Sequence, residues 1–145
     1  RNIKINIVTG YGYEGYEELE TEVENKTYVT LTKATGIISS IMEQSQIAIT
    51  SNGRTVYELA HMNIPAIVIS QHEREETHEF ARSEYGFIPI NTFKQGKSEV
   101  GVVNELSKLL DDEAHRRYLF EQTTKYRFTE NKQNVLKEML SLLSI

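Results

Sequence analysis

A doubly wound α/β domain, a Rossmann-like three-layer sandwich with a mostly parallel sheet and closing helices, is the fold predicted by three observations. Short apolar runs alternate with helical patterns along the chain, the connections between them are short, and Ala66-Ile67-Val68-Ile69 is apolar at every position. Such alternation implies parallel strands joined by right-handed crossovers, with helices on both faces of the sheet. A strand that is apolar throughout is what a central position, covered on both faces, requires.

Taken in order, Ile3–Thr9 reads as a first strand closed by Gly10-Tyr11-Gly12, and Glu14–Val23 as an acidic helix with a solvated face. Tyr28–Thr32 is a second strand, and residues 36–44 carry a helical pattern through Ile37, Ile38, Ile41 and Met42. Gln46–Thr50 is a third strand, Thr55–Met62 a helix, and Ala66–Ser70 the fourth strand. Glu73–Tyr85 reads as a helix with Gly86 as its C-cap, followed by a short fifth strand, Phe87–Ile90. Glu99–Leu110, Glu113–Tyr126 and Lys132–Leu143 close the chain as helices.

Composition narrows the function. A length of 145 residues fits one domain. The net charge of −5 argues against binding nucleic acid through its phosphates. With no cysteine, disulfides and thiolate metal sites are excluded. His72 and His78 are six apart rather than the four that a zinc-binding pair on a helix needs, so neither metal nor cofactor is expected. No apolar run approaches the roughly 20 residues of a membrane helix and no signal peptide is visible, which makes a cytoplasmic location the expectation. The chain runs from Arg1 almost directly into an alternating strand without an initiator Met, as a fragment of a longer protein would.

In open α/β sheets, ligands bind beyond the carboxyl ends of the strands, where strand order reverses. That rule selects Gly10–Gly12, Lys33–Gly36, Ser51–Thr55 and Gln71–Glu76. Within Ser51-Asn52-Gly53-Arg54-Thr55 a helix N-terminus attracts anions, Gly53 permits close approach and positive φ, Ser51 and Thr55 offer hydroxyls, and Arg54 adds a cation. The same residues also fit a turn and a capping box, in which Glu58 bonds back to the cap. Glu58 is placed equally well to accept the two hydroxyls of a ribose. Gln71–His78 is dense in polar groups that suit a polyhydroxylated ligand, and equally a solvated first turn. The loop at Ala34, Thr35 and Gly36 offers amides to a planar base or is an ordinary turn. Gly10-Tyr11-Gly12 lacks a GxGxxG or a Walker lysine, and Tyr11, Tyr13 and Tyr16 read as partial-core or interface aromatics.

The order of these motifs says more than any one of them. QIAIT, then SNGRTVYELAHMNIPAIVIS, then QHEREETHEFA and a glycine-ended helix resembles the C-terminal, nucleotide-binding domain of GT-B nucleotide-sugar enzymes. The patterns are similar to those of the UDP-sugar hydrolases of pseudaminic acid synthesis, their spore-coat polysaccharide relatives, and the lipid-II-forming N-acetylglucosaminyltransferases. The resemblance spans residues 3–143 and is most specific over 46–86. It implies that Gly53 and Thr55 meet a diphosphate, Glu58 the ribose, residues 34–36 the base and Gln71 the sugar, with UDP the favoured nucleotide. Where the transferases carry a Gln pair, this chain has Glu76-Thr77, which leaves the sugar open, and its loop at Gly53 is one residue shorter.

A full domain of this type also carries a preceding strand with a glycine-rich loop, and an N-terminal domain that supplies the base. The resemblance therefore implies a fragment that is catalytically silent alone, with an open sheet edge able to pair as a homodimer. Two rival readings remain. One is a non-catalytic binding or scaffolding domain attached to a sugar-activating enzyme. The other is a nucleotide-sugar 2-epimerase, for which Tyr57-Glu58 does not supply the adjacent acids.

Overall fold

In the computed structural model, residues 3–33, 36, 38–126 and 128–143 are described. Two units are distinguished, residues 1–44 and residues 45–145.

In the first unit, Ile5–Thr9 (β1) and Val29–Lys33 (β2) pair in parallel, with Ile5 opposite Val29 and Thr9 opposite Lys33. β-Branched residues dominate both strands, INIVT and VTLTK, as pleated pairing favours. A parallel pair needs a crossover, and Tyr16–Val23 (α1) supplies it. Glu17 and Glu18 in its first turn complement the helix dipole, and the helix buries no residue, which matches the solvated acidic face expected. Tyr16 is half-buried under the Lys33 ammonium, 4.5 Å from its ring centroid, whereas Tyr11 is 87% exposed and so is no core aromatic. Ile38–Glu43 (α2) buries Met42. Ala34, Thr35 and Ile37, which belong to the predicted base loop and helix, lie outside the described residues.

In the second unit, Ala48–Ser51 (β3), Ala66–Ile69 (β4) and Phe87–Ile90 (β5) form a parallel sheet in the order β3-β4-β5. β4 is central, and Ala66, Ile67 and Val68 are each at most 1% exposed, as an all-apolar strand should be. Ile67 packs with Leu109 of Ser98–Asp111 (α4) and Leu119 of Glu113–Thr123 (α5). Ala66 and Val68 point to the other face, toward Thr55–His61 (α3), whose buried residues are Val56, Leu59 and Ala60. Helix, sheet and helix therefore make the three layers expected. Asp112 caps α5 by accepting from the His115 N–H at 2.9 Å. Phe128–Leu143 (α6) follows, with its side chains from 130 onward exposed.

Two expectations need correction. The single open sheet is instead two sheets whose strands neighbour in sequence order, so neither contains a strand-order reversal among the described residues. The helix expected over Glu73–Tyr85 is two short 3-10 turns, Glu73–Thr77 and Ser83–Tyr85, separated by extended backbone at His78 and Arg82. The segment 71–79 has no apolar residue to bury, and helices this short depend on such burial. Its polar side chains bond nearby backbone instead, Thr77 Oγ1 donating to the Arg74 carbonyl at 2.7 Å and the Gln71 N–H to Glu75 Oε2 at 2.8 Å. Gly86 does end the second turn, at φ 87°.

Candidate functional site at the carboxyl ends of the second sheet

Backbone hydrogen bonds carry the ladder past the three strand ends. The Asn52 N–H donates to the Ile69 carbonyl at 3.2 Å, and the Phe93 N–H to the Ser70 carbonyl at 2.7 Å. The loops after β3, β4 and β5 are thereby gathered at one edge. From β3 the chain turns directly into α3: Val56 N–H bonds the Gly53 carbonyl at 3.3 Å and Tyr57 N–H the Arg54 carbonyl at 3.0 Å, a tight 3-10 start. These two donors are spent. Among the described residues no such bond to a backbone carbonyl runs from the N–H groups of Gly53, Arg54 and Thr55.

The capping box is not formed. Arg54, in helical conformation, occupies the cap position, and no side-chain hydrogen bond closes the turn. Glu58 is exposed one turn along and remains open to a ligand. Positive φ is not used at Gly53, since among the described residues only Asn63, Gly86 and Gly96 adopt it. What Gly53 contributes is room: a Cβ there would meet only Ser51 Oγ, at 3.6 Å.

The segment after β4 is held against this corner. Asn52, 7% exposed, donates from Nδ2 to the carbonyls of Glu75 at 2.7 Å and His78 at 3.4 Å. His78 Nδ1 lies 2.7 Å from the Asn52 carbonyl, and because a carbonyl only accepts, Nδ1 carries the proton. Glu76 Oε1 accepts from the Thr92 N–H at 2.6 Å and the Thr92 hydroxyl at 2.5 Å, which holds its carboxyl below the ordinary range.

Of the residues singled out from sequence, Ser51, Asn52, Gly53, Arg54, Thr55, Glu58, Gln71, Glu76 and Thr77 lie on these linked loops. They divide by availability. Arg54, Glu58 and Gln71 are exposed, and Ser51 and Thr55 half-buried. Asn52, Glu76 and Thr77 each have one polar atom bonded within the protein, Asn52 Nδ2 to the Glu75 and His78 carbonyls, Glu76 Oε1 to Thr92 and Thr77 Oγ1 to the Arg74 carbonyl. Gly36 is an exposed turn residue of the first unit. Thr92 lies in the loop after β5, one strand beyond the loops selected from the sequence, and nothing local marks His78 as the partner of Asn52.

Among the described residues there is no metal-holding group of three or more His, Asp or Glu, and no helix long and apolar enough to cross a membrane. A comparison with models of known protein families found no match, and the curated proteins searched contain none either.

Proposed function

We propose that residues 45–145 carry the diphosphate and ribose subsites of a GT-B-type hydrolase or glycosyltransferase that acts on a nucleotide-diphosphate sugar, UDP being the preferred nucleotide. The observation that carries this reading is the corner after β3. Three successive N–H groups without a backbone acceptor occur there, one of them on Arg54, whose side chain is exposed, with only Ser51 Oγ near Gly53 and an exposed Glu58 one turn further on. Donors in succession next to a cation suit a diphosphate. A carboxylate at Glu58 suits the paired hydroxyls of a ribose.

In this reading the anomeric C–O bond breaks and its electron pair leaves on the diphosphate, while an oxygen of water or of a sugar hydroxyl bonds to the anomeric carbon. The attacking oxygen's proton passes to a general base. What this chain does is orient the donor and stabilise the departing charge through the Gly53, Arg54 and Thr55 N–H groups and the Thr55 hydroxyl. Gln71, exposed at the end of β4, faces the sugar. Synthesis of surface polysaccharides or sialic-acid-like sugars is the setting the resemblance implies.

Calorimetric titration with UDP, CDP and GDP tests it. One nucleotide binds saturably, Glu58→Ala weakens it several-fold, and the chain alone shows no turnover. Silence toward all three, here and in any longer protein that contains this chain, overturns the reading.

A further inference from the structure

We infer that Asn52 and His78 are positioning residues that latch the Gln71–His78 segment to the Ser51–Thr55 corner, so that a ligand engaging one loop stiffens the other. The inference rests on the site reading above for its ligand, but its geometry stands apart from it. Among the described residues three hydrogen bonds cross between the loops, and all of them use these two residues. Asn52 Nδ2 holds the carbonyls of Glu75 and His78, and His78 Nδ1 returns a bond to the Asn52 carbonyl. The bonds join residues 23 and 26 apart in sequence, so they are tertiary ties, not turn chemistry.

The segment they hold has little else. Residues 71–79 include no apolar side chain, and all but Glu75 are exposed. Its second anchor is Glu76 on Thr92, at the opposite end of the row of strand ends. A segment with few buried apolar contacts opens locally far more readily than the core beneath it. Asn52, in contrast, is buried, and it lies directly before the Gly53–Thr55 donors. A bound anion that fixes those donors also fixes the amide of Asn52, and through it the carbonyls of Glu75 and His78. Gln71 is tied in turn to Glu75 through its own N–H. The latch thus gives a mechanism by which the part of the site facing the diphosphate sets the part facing the sugar.

Hydrogen–deuterium exchange on the 145-residue chain, with and without UDP, CDP or GDP, tests this with Asn52→Leu and with His78→Ala. The first variant removes the Nδ2 donor at nearly constant shape and adds no charge. The second touches only an exposed side chain and so keeps the test alive if the first fails to fold. Without nucleotide, each variant speeds exchange of the 71–78 amides about fivefold, the worth of one or two hydrogen bonds, while β4 and α5 stay unchanged. With the nucleotide that binds, the unmodified chain is protected over both 51–58 and 71–78. The variants keep the first protection and lose the second, a split that a loss of general stability would not produce. Unchanged exchange over 71–78 in both folded variants overturns the latch, as does acceleration spread equally over β4 and α5. Loosened loops in a chain that binds no nucleotide leave the latch standing and count against the nucleotide reading instead.

Discussion

The two units are assembled from the same parts, parallel strands with a helix between them, yet they differ sharply in what they bury. In residues 1–44 the described buried side chains are Thr9 and Met42, and α1 buries none. In residues 45–145 a third strand gives β4 a neighbour on each edge and helices on each face, and Phe87, Leu59, Ile67, Leu109 and Leu119 are almost wholly enclosed. The difference is one of topology more than composition. INIVT is β-branched at every position but Asn6, yet a two-stranded pair has no inner strand, and such pairs are marginal without further packing.

The largest effect should therefore come from truncating the second core. Phe87→Ala removes a fully buried ring that also packs against Phe80, 5.8 Å between centroids, and should cost about 3–5 kcal/mol. Leu19→Ala, at a half-buried position of α1, should cost roughly 1 kcal/mol or less. Urea denaturation of the whole chain reads both. Similar costs would break the comparison between the units.

A glycine pair sharpens it. Gly86 and Gly96 both adopt left-handed backbone, at φ 87° and 76°. A Cβ on Gly86 would lie 2.3 Å from Thr123 Cγ2 and 2.6 Å from the Leu119 carbonyl oxygen, whereas one on Gly96 would meet nothing within 4 Å. Gly96→Ala should thus cost only the conformational penalty, about 1 kcal/mol. Gly86→Ala adds a clash with the backbone of α5 that no side-chain rotation relieves, bringing the loss to about 3 kcal/mol. If the two variants melt together, the packing of the second 3-10 turn on α5 is looser than described.

These particulars also show what was legible in the sequence. β4 could be read because burial on both faces leaves an unbroken apolar run, and Phe87–Ile90 matches β5 residue for residue. β1, β2 and β3 shift by a residue or two from their predicted bounds, since the flanking residues are equally fit to extend a strand. The 3-10 turns were not legible. The first of them is bonded to Asn52 and Thr92, 23 and 16 residues away, and periodicity within the segment carries no trace of such partners. The same blindness affected the site: Arg54 and Glu58 were readable as exposed polar residues at a helix start, but only the fold reveals that the Asn52 amide is already committed. Gly86 was recognisable as a C-cap, while its contact with Thr123 depends on how α5 returns to the sheet.

The smallest expected effect tests the rim of the second unit, where solvent weakens every interaction. The Thr92 hydroxyl beside Glu76 is the main cause of its lowered pKa, with the Thr92 N–H second; partial loss of water pulls weakly upward and the Lys94 charge slightly down. Because the folded value lies below that of an unfolded glutamate, about 4.3, the interaction stabilises the protein fully above that value and is lost as pH falls through the folded one. Thr92→Val deletes the larger contribution and keeps the N–H. The Glu76 carboxyl should then titrate at higher pH by NMR, closer to the ordinary value without reaching it, and the loss of stability on acidification below about pH 4.3 should become shallower. An unmoved titration would mean that Thr92 does not hold Glu76 in solution. The 71–78 segment would then hang on the Asn52 and His78 side alone, and the variants of those two residues should loosen it by correspondingly more.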